Sequence, residues 1–209
     1  MALSAPETRP YHHGDLRRAL IDAALDLAER HGAERVTLRE VARQLGVSAA
    51  APFRHFASRK ALMTAVGVEA NERLALEMRR ALARAGASPL ARLRALSRGY
   101  VGWALRHAGH FRIVSARDEL DVDGTPALQA GMHALRDLTE DTVRAAQAAG
   151  ELRPDDDAER LALLARAAAY GLARMHHDDH FRQWGVAPGR EAEAMEGTLN
   201  LLLSMMARR

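Results

Sequence analysis

The chain of 209 residues contains no cysteine, so disulfides and thiolate metal sites are excluded. That absence fits a reducing compartment, and a cytoplasmic location is expected. Aromatic residues are scarce, at two Trp, three Tyr and four Phe, and β-branched runs are absent. Sheet-rich architectures are therefore disfavoured. No apolar run approaches the roughly 20 residues that span a bilayer, and the N-terminus has no apolar signal core. No membrane partner is expected. Gly-rich phosphate loops are missing, and the serines have no His-Asp partners in sequence, so neither nucleotide chemistry nor nucleophilic catalysis is indicated.

What is present favours helices. Alanine and leucine dominate, and the length permits a substantial core. The fold class expected is all-α. Apolar stripes at helical spacing predict helices over about 13–30, 58–85, 88–107, 110–116, 125–149, 155–176 and 190–206, with acidic or glycine-bearing loops at 118–124 and 185–189. Ser88-Pro89 and Thr125-Pro126 each place a capping residue before a proline, as at helix starts.

The net charge of +3 is unevenly distributed. Residues 1–60 hold ten Arg or Lys against seven Asp or Glu, while residues 61–209 hold twenty of each. Between Arg39 and Lys60 there are five basic residues and one acidic, Glu40. A local positive field of this kind suits phosphate.

That region also carries the most informative pattern. Thr37 and Glu40 are spaced as a capping box. Leu38, Val41, Ala42 and Leu45 share one helical face. Gly46 can supply the left-handed backbone that ends a helix, Val47 turns inward, and Ser48 can cap a second short helix closed by Phe56. Two short helices joined by a tight glycine turn form a helix-turn-helix, whose second helix can enter a DNA major groove.

The segment from His12 to Leu62 resembles the DNA-binding domain of the TetR/AcrR family of bacterial transcriptional regulators. The resemblance rests on Leu20-Ile21-Asp22-Ala23-Ala24-Leu25, on His31-Gly32, on the helix-turn-helix, and on Phe56-Ala57-Ser58-Arg59-Lys60-Ala61-Leu62. Tyr11-His12-His13-Gly14-Asp15-Leu16 is similar to a subgroup with a WHG-type C-terminal domain, as is the run Tyr100 to His107. The Trp and His of that subgroup's motif align with Arg166 and Tyr170 here.

The resemblance implies an N-terminal helix-turn-helix domain over 1–57, a connecting helix over 58–85, and an effector-binding and dimerisation domain over 86–209. It implies a homodimeric regulator, most readily a repressor released from a palindromic operator by a small-molecule effector. DNA contacts are expected from Thr37, Arg39, Ser48, Ala49, Ala50, Ala51, Phe53, Arg54, His55 and Arg59. Arg39 is suited to guanine and Arg59 to phosphate, whereas the three alanines can only pack on thymine methyl groups. Phe53 stands where the family usually has a tyrosine, so it lacks the hydroxyl. Arg9, His12 and His13 extend the basic arm.

Effector contacts are expected from Tyr100, Trp103, His107, Phe111, Met132, His133, Tyr170 and Arg174, with ordinary core packing as the competing reading. Dimer contacts are expected from Leu161, Leu164, Ala168, Met195, Leu199, Leu202 and Met206, in a four-helix bundle of the last two long helices and their mates. No cofactor, resident metal or catalytic residue is expected. His176-His177-Asp178-Asp179-His180 is the one run with metal-ligand residue types, and a metal-dependent enzyme built on it is the minor alternative. Control by a protein partner is another.

Overall fold

The computed structural model describes the backbone of residues 13–207 and the side chains of 16–207. Arg9, His12, the side chain of His13 and the expected arm over 1–11 lie outside the described residues. Among the described residues there are eight α-helices: α1 His13–His31, α2 Leu38–Leu45, α3 Arg59–Ala83, α4 Pro89–Arg106, α5 Ala108–Ser115, α6 Pro126–Ala148, α7 Ala158–His177 and α8 Glu191–Met206. Short 3-10 turns lie at Ala33–Arg35, Pro52–Arg54, Arg117–Glu119 and Phe181–Trp184. The expected helical segments are therefore present, with two changes. The helix expected after Ser48 is only a turn and one 3-10 segment. The break between α4 and α5 falls at His107, not at Gly109.

The head is built on α1, α2 and the first half of α3. Leu20, Ala24, Val36, Val41, Phe56, Leu62 and Val66 form its core, and Ile113, Leu120 and Leu128 from later in the chain complete it. Head and body thus share apolar packing. The second half of α3, through Leu74 and Met78, enters a different core with Trp103, Phe111, Ala169, Leu172 and Leu199. A third cluster joins α4, α6, α7 and α8 around Leu93, Val143, Leu152, Leu161 and Leu203. One continuous 25-residue helix therefore packs in both halves.

Gly109 permits a close approach between α5 and α1. A Cβ built there would lie 2.5 Å from the backbone carbon and oxygen of Ala28. Only glycine lets α5 touch α1 at this depth.

Candidate DNA-binding face and effector cavity

The helix-turn-helix forms through the expected local chemistry, with two differences. Thr37 accepts the Glu40 N–H at 3.1 Å. Glu40 does not reach back to Thr37; its carboxylate pairs with Arg43, which holds it below the usual carboxylate range. Gly46 takes φ 66°, ψ 23°, and Val47 N–H closes on the Ala42 carbonyl. Ser48 caps through its backbone only, because its carbonyl accepts the Ala51 N–H. Pro52 is buried and provides no N–H, so the segment winds as a 3-10 turn through Arg54.

This arrangement exposes Thr37, Arg39, Ser48, Ala49, Ala50, Phe53, Arg54 and Lys60, while Ala51 and His55 are half-buried. Arg39, Arg54 and Lys60 have no ion-pair partner among the described residues. Three free cations beside a row of alanines suit a surface that grips phosphate more than it reads base edges.

Arg59 is a correction. It was expected at phosphate, yet its Nε donates to the Val36 carbonyl at 2.8 Å and another nitrogen to the Ala33 carbonyl at 3.0 Å. Its third contact is an ion pair with Glu119 at 2.8 Å. The side chain is committed to holding the head against the body. Arg43 is likewise engaged, by Glu40.

A second head–body contact lies at the far end of α1. Glu29 accepts the Gly109 N–H at 3.1 Å and hydrogen bonds with His110 Nδ1 at 2.9 Å. Burial pushes the His110 imidazole below its ordinary pKa, with Glu29 opposing. With His107, these residues bring one possible ligand atom each within 4.8 Å of one another. They are the metal-capable group of the described residues, and the 176–180 run is not. Helix α7 ends at His177, so His176 and His180 no longer share a helical face. His177 instead bonds to the Ala104 carbonyl at 2.9 Å.

The body contains a cavity of about 450 Å³ between α3, α4, α6 and α7. Of the expected effector residues, Tyr100 and Met132 line it. Tyr170 stands just behind, with Arg166 over its ring at 5.3 Å. The remainder are corrections. Trp103 and Phe111 are fully packed in the core, their rings set against Tyr100. His107 faces α1 with His110, His133 is exposed, and Arg174 pairs with Asp178. Sequence reasoning missed Asn71, Leu74, Met78, Leu96, Leu135 and Arg166. Helical phase could have flagged Leu74 and Met78, since both continue the inward stripe of α3.

Four of the expected dimer residues are placed elsewhere. Leu161, Met195, Leu199 and Met206 are buried within the chain's own cores, because the apolar stripe that identified them faces inward. Leu164 is exposed, and Ala168 and Leu202 are half-buried. Besides Leu164, the exposed apolar side chains here are Leu201 and Met205 of α8 and Leu163 of α7, and Leu163 also lines the cavity. Among the described residues, no helix is long and apolar enough to cross a membrane.

Comparison with known proteins agrees with this geometry. Residues 20–66 match the family of bacterial regulatory proteins named for tetR, and residues 93–199 match the tetracyclin repressor-like C-terminal domain. None of the curated proteins matches the sequence. A solved protein of unknown function from Rhodococcus sp. RHA1 is 33% identical over 96% of this chain and 100% of its own, with a TM-score of 0.80. The TetR-family transcriptional regulator PfmR from Thermus thermophilus is 19% identical over 88% of this chain and 97% of its own, TM-score 0.69. The ketosteroid transcriptional regulator KstR2 of Mycobacterium tuberculosis is 18% identical over 93% and 96%, TM-score 0.67. With a C-terminal match spanning half the chain behind a matching helix-turn-helix, this protein belongs to the TetR family of DNA-binding transcriptional regulators.

Proposed function

We propose that the protein is a homodimeric repressor that leaves a palindromic operator when a small molecule enters the cavity beside α3. The observation that carries this reading is the double packing of α3. Leu62, Val66 and Ala70 hold the head core, and from the next residue onward Asn71, Leu74 and Met78 line the cavity. A molecule that moves the cavity wall therefore acts on the helix whose first turn carries Arg59. The ligand works as a population shift: it favours a pose in which two heads no longer match successive major grooves about 34 Å apart.

In this reading residues 1–57 bind DNA, 58–85 couple, and 86–209 bind effector and partner copy. Thr37, Arg39, Arg54, Lys60 and the alanine turn meet the duplex in the cytoplasm. Leu164, Leu201 and Met205 meet their mates, giving a two-fold axis that presents both heads to one operator. Fluorescence anisotropy on a selected duplex, with and without a cavity ligand, tests the mechanism. Release of DNA on ligand addition supports it, and an unchanged affinity with the cavity occupied refutes it.

A further inference from the structure

The cavity has a chemical preference of its own, legible from which of its polar groups are already committed. Much of its wall is apolar, including Leu74, Met78, Leu96 and Leu135. The Ser97 and Thr139 hydroxyls donate to the Leu93 and Leu135 carbonyls of their own helices, at 3.2 and 2.9 Å. Glu140 is held by Arg136 and Arg144, and Glu159 lies 3.7 Å from Arg144. The two carboxylates at the cavity thus already face cations.

The uncommitted groups are dominated by donors: the Asn71 amide N–H, the Tyr100 hydroxyl, and the Arg166 and Arg117 guanidinium groups, which have no ion-pair partner among the described residues. Asn71 Nδ2 and Tyr100 Oη are buried without a hydrogen-bond partner among the described residues, and each residue is only 6% exposed. Burial pushes the Tyr100 phenol above its ordinary pKa, against the opposing Arg166 charge, so the hydroxyl keeps its proton. The Arg166 guanidinium stacks over the Tyr100 ring at 4.0 Å and has no carboxylate partner among the described residues. Stacking on Tyr100 and Tyr170 orients the guanidinium, and with no carboxylate on it the fork can take a planar acceptor beside the Tyr100 hydroxyl.

We propose that the cavity selects an apolar molecule bearing a carboxylate, with the carboxylate on Arg166 beside Tyr100 and the apolar body along Leu74, Met78, Leu96 and Leu135. This rests on the reading of the cavity as the effector site. A carboxylate accepts only, and it matches an arginine fork through two parallel hydrogen bonds. An amine would set a cation against Arg166 and leave the buried Asn71 N–H unpaired. An alcohol offers an acceptor without the charge. Asn71, on the α3 wall, offers its N–H to a second acceptor oxygen along the body.

The test is calorimetric titration of the full-length protein with three matched probes: 2-naphthylacetic acid, 2-naphthaleneethanol and 2-naphthylethylamine. The acid should bind at least tenfold more tightly than the alcohol, with the amine weakest. Arg166→Gln should weaken the acid about tenfold and change the alcohol less than twofold, and Arg166→Lys should recover part of the loss. Three results would overturn the proposal: an amine that binds as tightly as the acid, an Arg166→Gln variant that weakens all probes equally, or no binding of the acid to the wild type. If the acid binds with the expected Arg166 dependence while operator affinity stays constant, the selectivity stands and the effector role fails.

Discussion

Arg59 and Glu119 form an ion pair at 2.8 Å across the junction between head and body. Arg59 opens α3, and Glu119 closes the 3-10 turn after α5, so the pair ties the start of the coupling helix to the body. The same guanidinium holds two carbonyls of the segment before α2. The position of the helix-turn-helix is thereby linked to the body through one side chain.

Arg59→Ala should therefore act first on stability. Both partners are more than a third exposed, at 37% and 41%, so solvent screening keeps the ion pair small. Losing it together with two charge-assisted bonds to carbonyls should cost about 1–2 kcal/mol, measured by urea denaturation. An unchanged midpoint with weakened DNA binding would return Arg59 to the phosphate role that the sequence suggested.

Gly109→Ala should be costly for its size. The added methyl would sit within 2.5 Å of the Ala28 backbone, which cannot yield as a side-chain tip can. Overpacking of this kind costs roughly 1–3 kcal/mol and should lower the thermal midpoint. Gly197→Ala is the control, since nothing lies within 4 Å of a Cβ there. Equal midpoints for the two variants would contradict the close α1–α5 contact.

Acid should loosen the same contact. Burial holds the His110 pKa below its ordinary value, with His107 and Arg73 acting in the same direction and Glu29 against it. The native state then binds fewer protons than the unfolded state, so this group's contribution is complete above about pH 6.5 and declines as pH falls below it. Urea midpoints from pH 8 to 5 should fall more steeply for the wild type than for His110→Gln. Parallel profiles would remove His110 from the account.

The dimer seam can be separated from the core. Leu201→Glu and Met205→Glu change exposed side chains, so the variants should fold, sediment as monomers and lose operator affinity by tenfold or more. Leu199→Glu, at 2% exposure, should destabilise the fold itself, by several kcal/mol on the scale of an unpaired buried charge. Folded Leu201→Glu that remains dimeric would displace the interface from this face.

Much of this architecture was legible because it is written in local chemistry. Thr37, Gly46, Ser88 and Pro89 mark helix ends through their own hydrogen bonds and dihedrals. What was not legible depends on residues distant in sequence. Glu29 and His110 lie 81 positions apart, and Arg59 and Glu119 lie 60 apart, so nothing local announces either pair. The apolar stripes on α7 and α8 had the right period but two possible faces. Periodicity finds the buried side of a helix, and for Leu199 and Met206 that side is the chain's own core. Trp103 and Phe111 misled for a related reason: large aromatics mark core more often than cavity walls.

The most direct measurement is selection of binding sites from a random duplex library by the full-length protein, followed by a salt titration on the enriched duplex. The account predicts a two-fold symmetric sequence with half-sites about one helical turn or a multiple apart. Arg39→Ala should relax preference at one base pair per half-site, and log affinity should fall linearly with log salt, by about 0.9 per phosphate neutralised. Failure to enrich any sequence, or enrichment of a site without two-fold symmetry, would contradict a homodimer that presents two copies of this head to one operator.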